Sequence, residues 1–154
     1  MGVREVEQYF QAKQAEKEII FLEKSSATVA LAAEALGVEP ERIAKTLAFT
    51  LKDDRDLVVV ACGTAKIDNK KFKECFGCKA KMMSLEDTLL KTGHPVGGVC
   101  PFGLPEGVEI YADVSLQRFD FFYPAAGGTN TAVKMTPDEL IELTGAKWVD
   151  ICKE

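Results

Sequence analysis

A chain of 154 residues with a formal charge of −5, 47% apolar and 28% charged residues has the balance of a globular protein with a true core, not of a disordered or fibrous one. No apolar run approaches the roughly 20 residues that a bilayer span requires, and the charged N-terminal segment lacks the apolar stretch of a secretory signal. The acidic balance counts against a general nucleic-acid binder, which carries a basic surface. The cysteines Cys62, Cys75, Cys78, Cys100 and Cys152, odd in number and unevenly spaced, fit free thiols in a reducing, cytoplasmic compartment.

Val3, Val6 and Phe10 recur at helical spacing and predict an amphipathic helix over 3–17. The apolar run at 19–22 suits a buried strand over 18–23. Residues 28–36 are alanine-rich and periodic, with Gly37 as a helix stop, and Pro40 opens a short helical turn. Residues 45–51 and 57–62 read as the two strands of a hairpin around a turn at 53–56. A helix is expected over 69–76. Another begins at Ser84, whose side chain suits an N-cap, and stops at Gly93. Beyond a glycine- and proline-rich loop at 94–105, strands are expected over 109–114, 119–123 and 130–135. Thr136, Pro137 and Glu139 form a capping box with proline in the first turn. That helix runs to Thr144, stops at Gly145, and residues 147–152 close as a strand. Several strands follow one another without a helix between them. The expectation is therefore a single α+β domain, residues 1–154, whose mixed, barrel-like sheet is flanked by helices, rather than a doubly wound parallel sheet.

Most generic motifs have an ordinary explanation. Cys75 and Cys78 form one CxxC, but zinc needs two more ligands at metal-binding spacing, so no metal is expected. No cofactor motif appears either: the glycine loop is neither GxGxxG nor a P-loop. His94 is the only histidine, so any Ser-His or Cys-His mechanism must use it. Cys100 lies in the same loop, but two residues of one short loop rarely meet at hydrogen-bond distance. A solvated His94 and a packing Cys100 are the expectation. The loop at 93–103 holds four of the chain's 12 glycines. Such a loop exposes backbone N–H groups that can bind a carboxylate, a phosphate or a developing oxyanion. Six lysines between 66 and 81 make the one basic stretch, either a solvated helix face or a phosphate contact.

Four segments together resemble the YbaK/EbsC family, the prolyl-tRNA synthetase-associated editing domains and their free-standing relatives. They are Arg42-Ile43-Ala44-Lys45-Thr46-Leu47, the loop from Gly97 to Gly103 with Gly97 and Pro101 as its G-x-x-x-P element, Ala112-Asp113-Val114-Ser115-Leu116, and residues 126–140, where Gly127-Gly128-Thr129-Asn130-Thr131 leads into the Thr136 capping box. The resemblance spans roughly 25–150. It implies hydrolysis of mischarged aminoacyl-tRNA, most often a tRNA for proline bearing cysteine or alanine. It puts the functional lysine on Lys45 and the substrate site on Gly97, Gly98, Val99, Cys100, Pro101, Phe102, Gly103 and Asn130. Lys66, Lys70 and Lys71 become candidates for contact with the tRNA. The partners it implies are the acceptor CCA end and prolyl-tRNA synthetase, with no membrane. Cys100 stands where many relatives have serine, and Thr129 where several have arginine, so the amino acid removed does not carry across. Lys45 can serve as a charge or as a base. With no independent acid–base pair, the ribose 2′-hydroxyl or the substrate's own side chain is expected to assist. Two other classes compete: a non-catalytic adaptor that holds a synthetase or a tRNA end, and a Cys-His hydrolase of another small ester using Cys100 and His94.

Overall fold

The structure, a computed structural model, describes residues 2–153. In chain order the elements are α1 (Val3–Ala12), β1 (Ile20–Phe21), α2 (Val29–Leu36), β2 (Ile43–Thr50), β3 (Asp56–Cys62), α3 (Asn69–Phe76), α4 (Leu85–Thr92), β4 (Glu109–Asp113), β5 (Tyr123–Pro124), β6 (Thr131–Ala132), α5 (Pro137–Thr144) and β7 (Lys147–Val149). Five strands form one sheet in the order β5-β2-β3-β4-β7, and β1 pairs with β6 apart from it. The expected hairpin is the antiparallel β2–β3 pair, Ala44 opposite Cys62 through Thr50 opposite Asp56. The other three pairings of the large sheet are parallel. The sheet is thus mixed and flanked by helices, as expected, and the strands do not close into a barrel.

The apolar run of β3 explains its central place. Leu57 through Cys62 are buried without a break, which only a strand covered on both faces requires. One face packs Val60, Cys62 and Ala112 against Val6 and Phe10 of α1, Phe102, Phe122 and Leu140. The other packs Val59 and Ala61 against Phe49, Phe72, Phe76 and Ile151.

Caps set the helix boundaries. Thr28, Asp68, Ser84 and Thr136 each accept from a backbone N–H of the first turn, and Thr136 and Glu139 complete the box. Each such cap is worth about 1 kcal/mol. The long expected elements end early. α1 stops at Ala12 because 11–14 are exposed, and a turn with no buried face gains little from packing. The strand expected over 109–114 gives way at Val114 to a 3-10 turn, Val114–Arg118, opened by the Asp113 side chain accepting from Ser115 N–H, and the strand expected over 119–123 is irregular at 119–121. Only Tyr123 and Pro124 reach the sheet. The strands expected over 18–23 and 130–135 shrink to the two-residue pairing of β1 with β6. The last strand ends at Val149 because Ile151 N–H turns to Asp113 Oδ1, at 2.9 Å.

Candidate active site

The outer edge of β2 has two different neighbours. β5 pairs with it at Ile43 and Ala44. Further along, Ala48 accepts from Met83 N–H at 2.9 Å and Thr50 N–H donates to the Lys81 carbonyl at 3.1 Å. Backbone groups alternate in direction along a strand, so Thr46, between these two borders, aims its N–H and C=O into the gap. That gap is a cavity of about 310 Å³, walled by β2, the start of α2, segments 82–88 and 123–125, and the loop at 96–99. Its walls are mainly apolar, and Lys45 is the one charged residue among the described residues that line it. The Lys45 ammonium donates to the Ala65 carbonyl. Thr46 Oγ1 is buried and finds no hydrogen-bond partner among the described residues.

The glycine loop divides into a part that faces this cavity and a part that anchors it. Gly97 and Val99 line the cavity, and neither gives its N–H to another described residue. Gly97 has φ +92°, and a Cβ there would meet the Ala27 Cβ at 2.8 Å, so only glycine lets the loop approach α2 this closely. Gly98 donates to the Pro95 carbonyl at 2.9 Å and accepts from Gly127 N–H at 3.0 Å. Backbone thus lies on backbone between the two glycine pairs. Thr131 Oγ1 holds the second pair in place by accepting from Ala126 and Gly128 N–H at 3.1 and 3.0 Å.

The remaining residues of the loop face inward. Cys100, Pro101 and Phe102 are buried, and the Phe102 ring packs 4.9 Å from that of Phe10. Gly103 abuts the Glu5 carbonyl of α1. Asn130 is exposed and donates to the Leu22 carbonyl at 3.2 Å, tying β1 to β6. Of the expected substrate residues, then, the cavity brings together Lys45, Gly97 and Val99. Gly98, Cys100, Pro101, Phe102, Gly103 and Asn130 lie behind or beside it. The residues not foreseen as part of the site are Thr46, Ser26, Thr28 and Thr131. Their signal was slight, since a hydroxyl beside a strand lysine or at a helix cap is ordinary in sequence.

His94 corrects two expectations. It is fully buried rather than solvated, and Cys100 Sγ does come close, at 3.6 Å from Nε2. No nucleophile results from this proximity. Nε2 lies 2.7 Å from the Phe102 carbonyl, so it carries the hydrogen and donates it, and has no lone pair to take the thiol proton. Burial pushes the Cys100 thiol up to about 12. Burial also lowers the His94 pKa, outweighing the opposing effect of its bond to Phe102. Both groups therefore stay neutral, and neither lines the cavity.

The sequence model of the aminoacyl-tRNA editing domain matches residues 23–143. The chain belongs to this family. The uncharacterized protein YwhH of Bacillus subtilis is 47% identical over 155 residues, covering 100% of this chain and 99% of YwhH. EbsC of Enterococcus faecalis, named as a candidate Cys-tRNA(Pro)/Cys-tRNA(Cys) deacylase, is 29% identical over 120 residues, 77% of this chain and 73% of EbsC. Among solved structures, a candidate trans-editing enzyme for prolyl-tRNA synthetase superposes with a TM-score of 0.90 at 26% identity, covering 99% of this chain and 97% of the other. In this editing domain the family match takes in β2, the 96–99 segment of the glycine loop and residues 123–125, all of which wall the cavity. No helix among the described residues is long and apolar enough to cross a membrane. Among the described residues no group of three or more His, Cys, Asp or Glu side chains is placed to hold a metal. Of the three lysines expected to meet tRNA, Lys70 is exposed at the start of α3, Lys71 pairs with Asp150 at 3.2 Å, and Lys66 lines a second cavity.

Proposed function

We propose that this editing domain hydrolyses the ester of misacylated tRNA in trans, with the amino acid held in the cavity beside Lys45, and that its substrate is a tRNA for proline bearing cysteine or alanine. The observation that carries the reading is a small cavity lined by Lys45, Gly97 and Val99, in which the N–H groups of both loop residues have no partner among the described residues. A lysine and two unpaired backbone donors at one small space suit an ester carbonyl on its way to an oxyanion. Losing one such donor typically costs about 100- to 1,000-fold. A volume of about 310 Å³ stands at the lower end of ligand pockets, roughly 300–1,000 Å³, and favours a small acyl group. The likeness to EbsC and to the trans-editing enzyme supports tRNA for proline and cysteine, and the small volume admits alanine as well.

In this mechanism Lys45 acts as a charge, held in place by the hydrogen bond from its Nζ to the Ala65 carbonyl. Water attacks the acyl carbon, Gly97 and Val99 N–H bind the developing oxyanion, and the ribose oxygen leaves with a proton. The 2′-hydroxyl assists that transfer, since the buried Cys100–His94 pair offers no general base at the cavity. Thr46 Oγ1, without a partner among the described residues, meets the polar end of the bound aminoacyl group. The reaction belongs where tRNA is charged, in the cytoplasm, with prolyl-tRNA synthetase as the enzyme whose errors it removes. The test is hydrolysis of Ala-, Cys-, Ser- and Pro-tRNA, each on tRNA for proline and on its own tRNA, by the wild type and Lys45→Ala. Turnover of the cysteinyl or alanyl ester on tRNA for proline, lost in Lys45→Ala, is expected. No turnover of any ester by folded protein sinks the reading and leaves the adaptor.

A further inference from the structure

A second cavity, of about 660 Å³, opens where β3, β4 and β7 end. These three strands run parallel. The segments leaving their carboxyl ends bring Lys66, Arg118 and Lys153 into its lining together with Ser115 and Thr64. Crevices outside the carboxyl ends of parallel strands are a recurrent place for ligands.

Cations outnumber carboxylates in the lining of this cavity, three to two. Two carboxylates line it, and both are engaged. Asp113 is buried and accepts from Ser115 N–H and Ile151 N–H, each at 2.9 Å. Asp150 pairs with Lys71 at 3.2 Å. The three cations have no carboxylate partner among the described residues. Arg118 donates through Nε to the Ser115 carbonyl at 3.3 Å and through one Nη to Cys62 Sγ at 3.8 Å, which leaves the other Nη of its guanidinium for a ligand. A chain of net charge −5 therefore keeps, at one cavity, three cations that no carboxylate pairs among the described residues.

Lys45 joins the two cavities. It lines the first, while its ammonium bonds the carbonyl of Ala65, a residue of the second cavity's wall. An aminoacyl-tRNA has the matching arrangement, because the ester and the nearest phosphodiester belong to the same terminal nucleotide. We propose that the second cavity binds the phosphodiester backbone of the tRNA 3′ end, with Lys66, Arg118 and Lys153 as its contacts, while the acyl group occupies the first. This deepens the deacylase reading and rests on it. It also accounts for an acidic protein acting on a polyanion, since only a few phosphates are neutralised.

The test is fluorescence anisotropy of a labelled, uncharged single-stranded oligonucleotide ending in CCA, titrated at several salt concentrations. Each phosphate contact to a single strand contributes about 0.7 to the slope of log K against log salt. Lys66→Ala/Lys153→Ala is expected to flatten the slope by about 1.4 and weaken binding roughly tenfold near 0.15 M salt, and Arg118→Ala to flatten it by about 0.7. Lys52→Ala/Lys147→Ala removes the same charge from the other end of the sheet and is expected to leave the slope unchanged. Equal flattening by the two double variants, an unchanged slope in the first, or no binding by the wild type overturns the proposal. Inorganic phosphate at equal concentration is expected to compete weakly; full competition marks a site for a free anion and overturns it. A second readout separates this proposal from the reading it rests on. The Lys66/Lys153 variant is expected to lose kcat/KM on aminoacyl-tRNA and to keep it on 3′-aminoacyl-adenosine, which has no phosphate. If the wild type hydrolyses neither ester yet the oligonucleotide results hold, the deacylase reading fails and the phosphate site stands.

Discussion

Replacing Phe102 with alanine separates the two accounts of the glycine loop, one in which Phe102 touches substrate and one in which it anchors the loop. The side chain is fully buried, with its ring centroid 4.9 Å from Phe10 and 6.3 Å from Tyr9. A buried phenylalanine removes about 200 Å² from water, which at about 25 cal/mol per Å² is an upper figure near 5 kcal/mol. Measured Phe→Ala costs in cores are about 3 to 5 kcal/mol, so about 4 kcal/mol is expected here. For a chain of this size each kcal/mol lowers Tm by roughly 2–4 °C, giving a fall of about 8–16 °C. The assay is thermal unfolding by circular dichroism alongside deacylation well below the mutant's Tm. Phe102→Leu, which keeps most of the volume, is expected to lose under 1.5 kcal/mol and to retain nearly all of kcat/KM. A Phe102→Ala protein with unchanged Tm and a large loss of kcat/KM would refute the anchoring argument and return Phe102 to the substrate.

Three further outcomes follow from the same geometry. Cys100→Ala is expected to keep at least half of wild-type kcat/KM and to lose about 1 kcal/mol of stability in urea unfolding, because its neutral thiol lies away from the cavity; loss of more than tenfold would restore a Cys-His nucleophile. Gly98→Ala places a Cβ 2.8 Å from Gly128 N and 2.9 Å from neighbouring backbone carbons. With no flexible side chain to yield, it is expected to displace the loop and cut kcat/KM at least tenfold, whereas Gly77→Ala, whose Cβ meets nothing within 4 Å, is expected to cost only about 1 kcal/mol of stability with no kinetic effect. The buried His94 has a pKa below its ordinary value, so below about pH 6.5 the unfolded chain takes up a proton that the folded chain refuses. Stability is then lost as pH falls, by up to about 1.4 kcal/mol per pH unit, and is insensitive to this group above that range; urea unfolding between pH 7.5 and 5.5 is expected to show a shallower dependence in His94→Asn than in the wild type.

Local chemistry alone settled a large part of this protein. The caps at Ser84 and Thr136, the stops at Gly37, Gly93 and Gly145, and the central hairpin all follow from side chains that act within a few residues of themselves. Lys45 and the 97–99 loop were likewise legible, because a strand lysine and a glycine-proline loop stood out in the resemblance to the family. Only the tertiary structure decided which parts of that loop reach the cavity, since Cys100, Phe102 and Gly103 are drawn inward by α1, an element about 90 residues earlier. It also trimmed the edge strands, whose length depends on a partner's backbone and not on their own apolar pattern. The same holds for Thr46. Its role comes from standing where β2 has lost one neighbour and not yet met the next. The cations of the second cavity come together in the same way: Lys66, Arg118 and Lys153 are distant in sequence and line one cavity because three parallel strands end together.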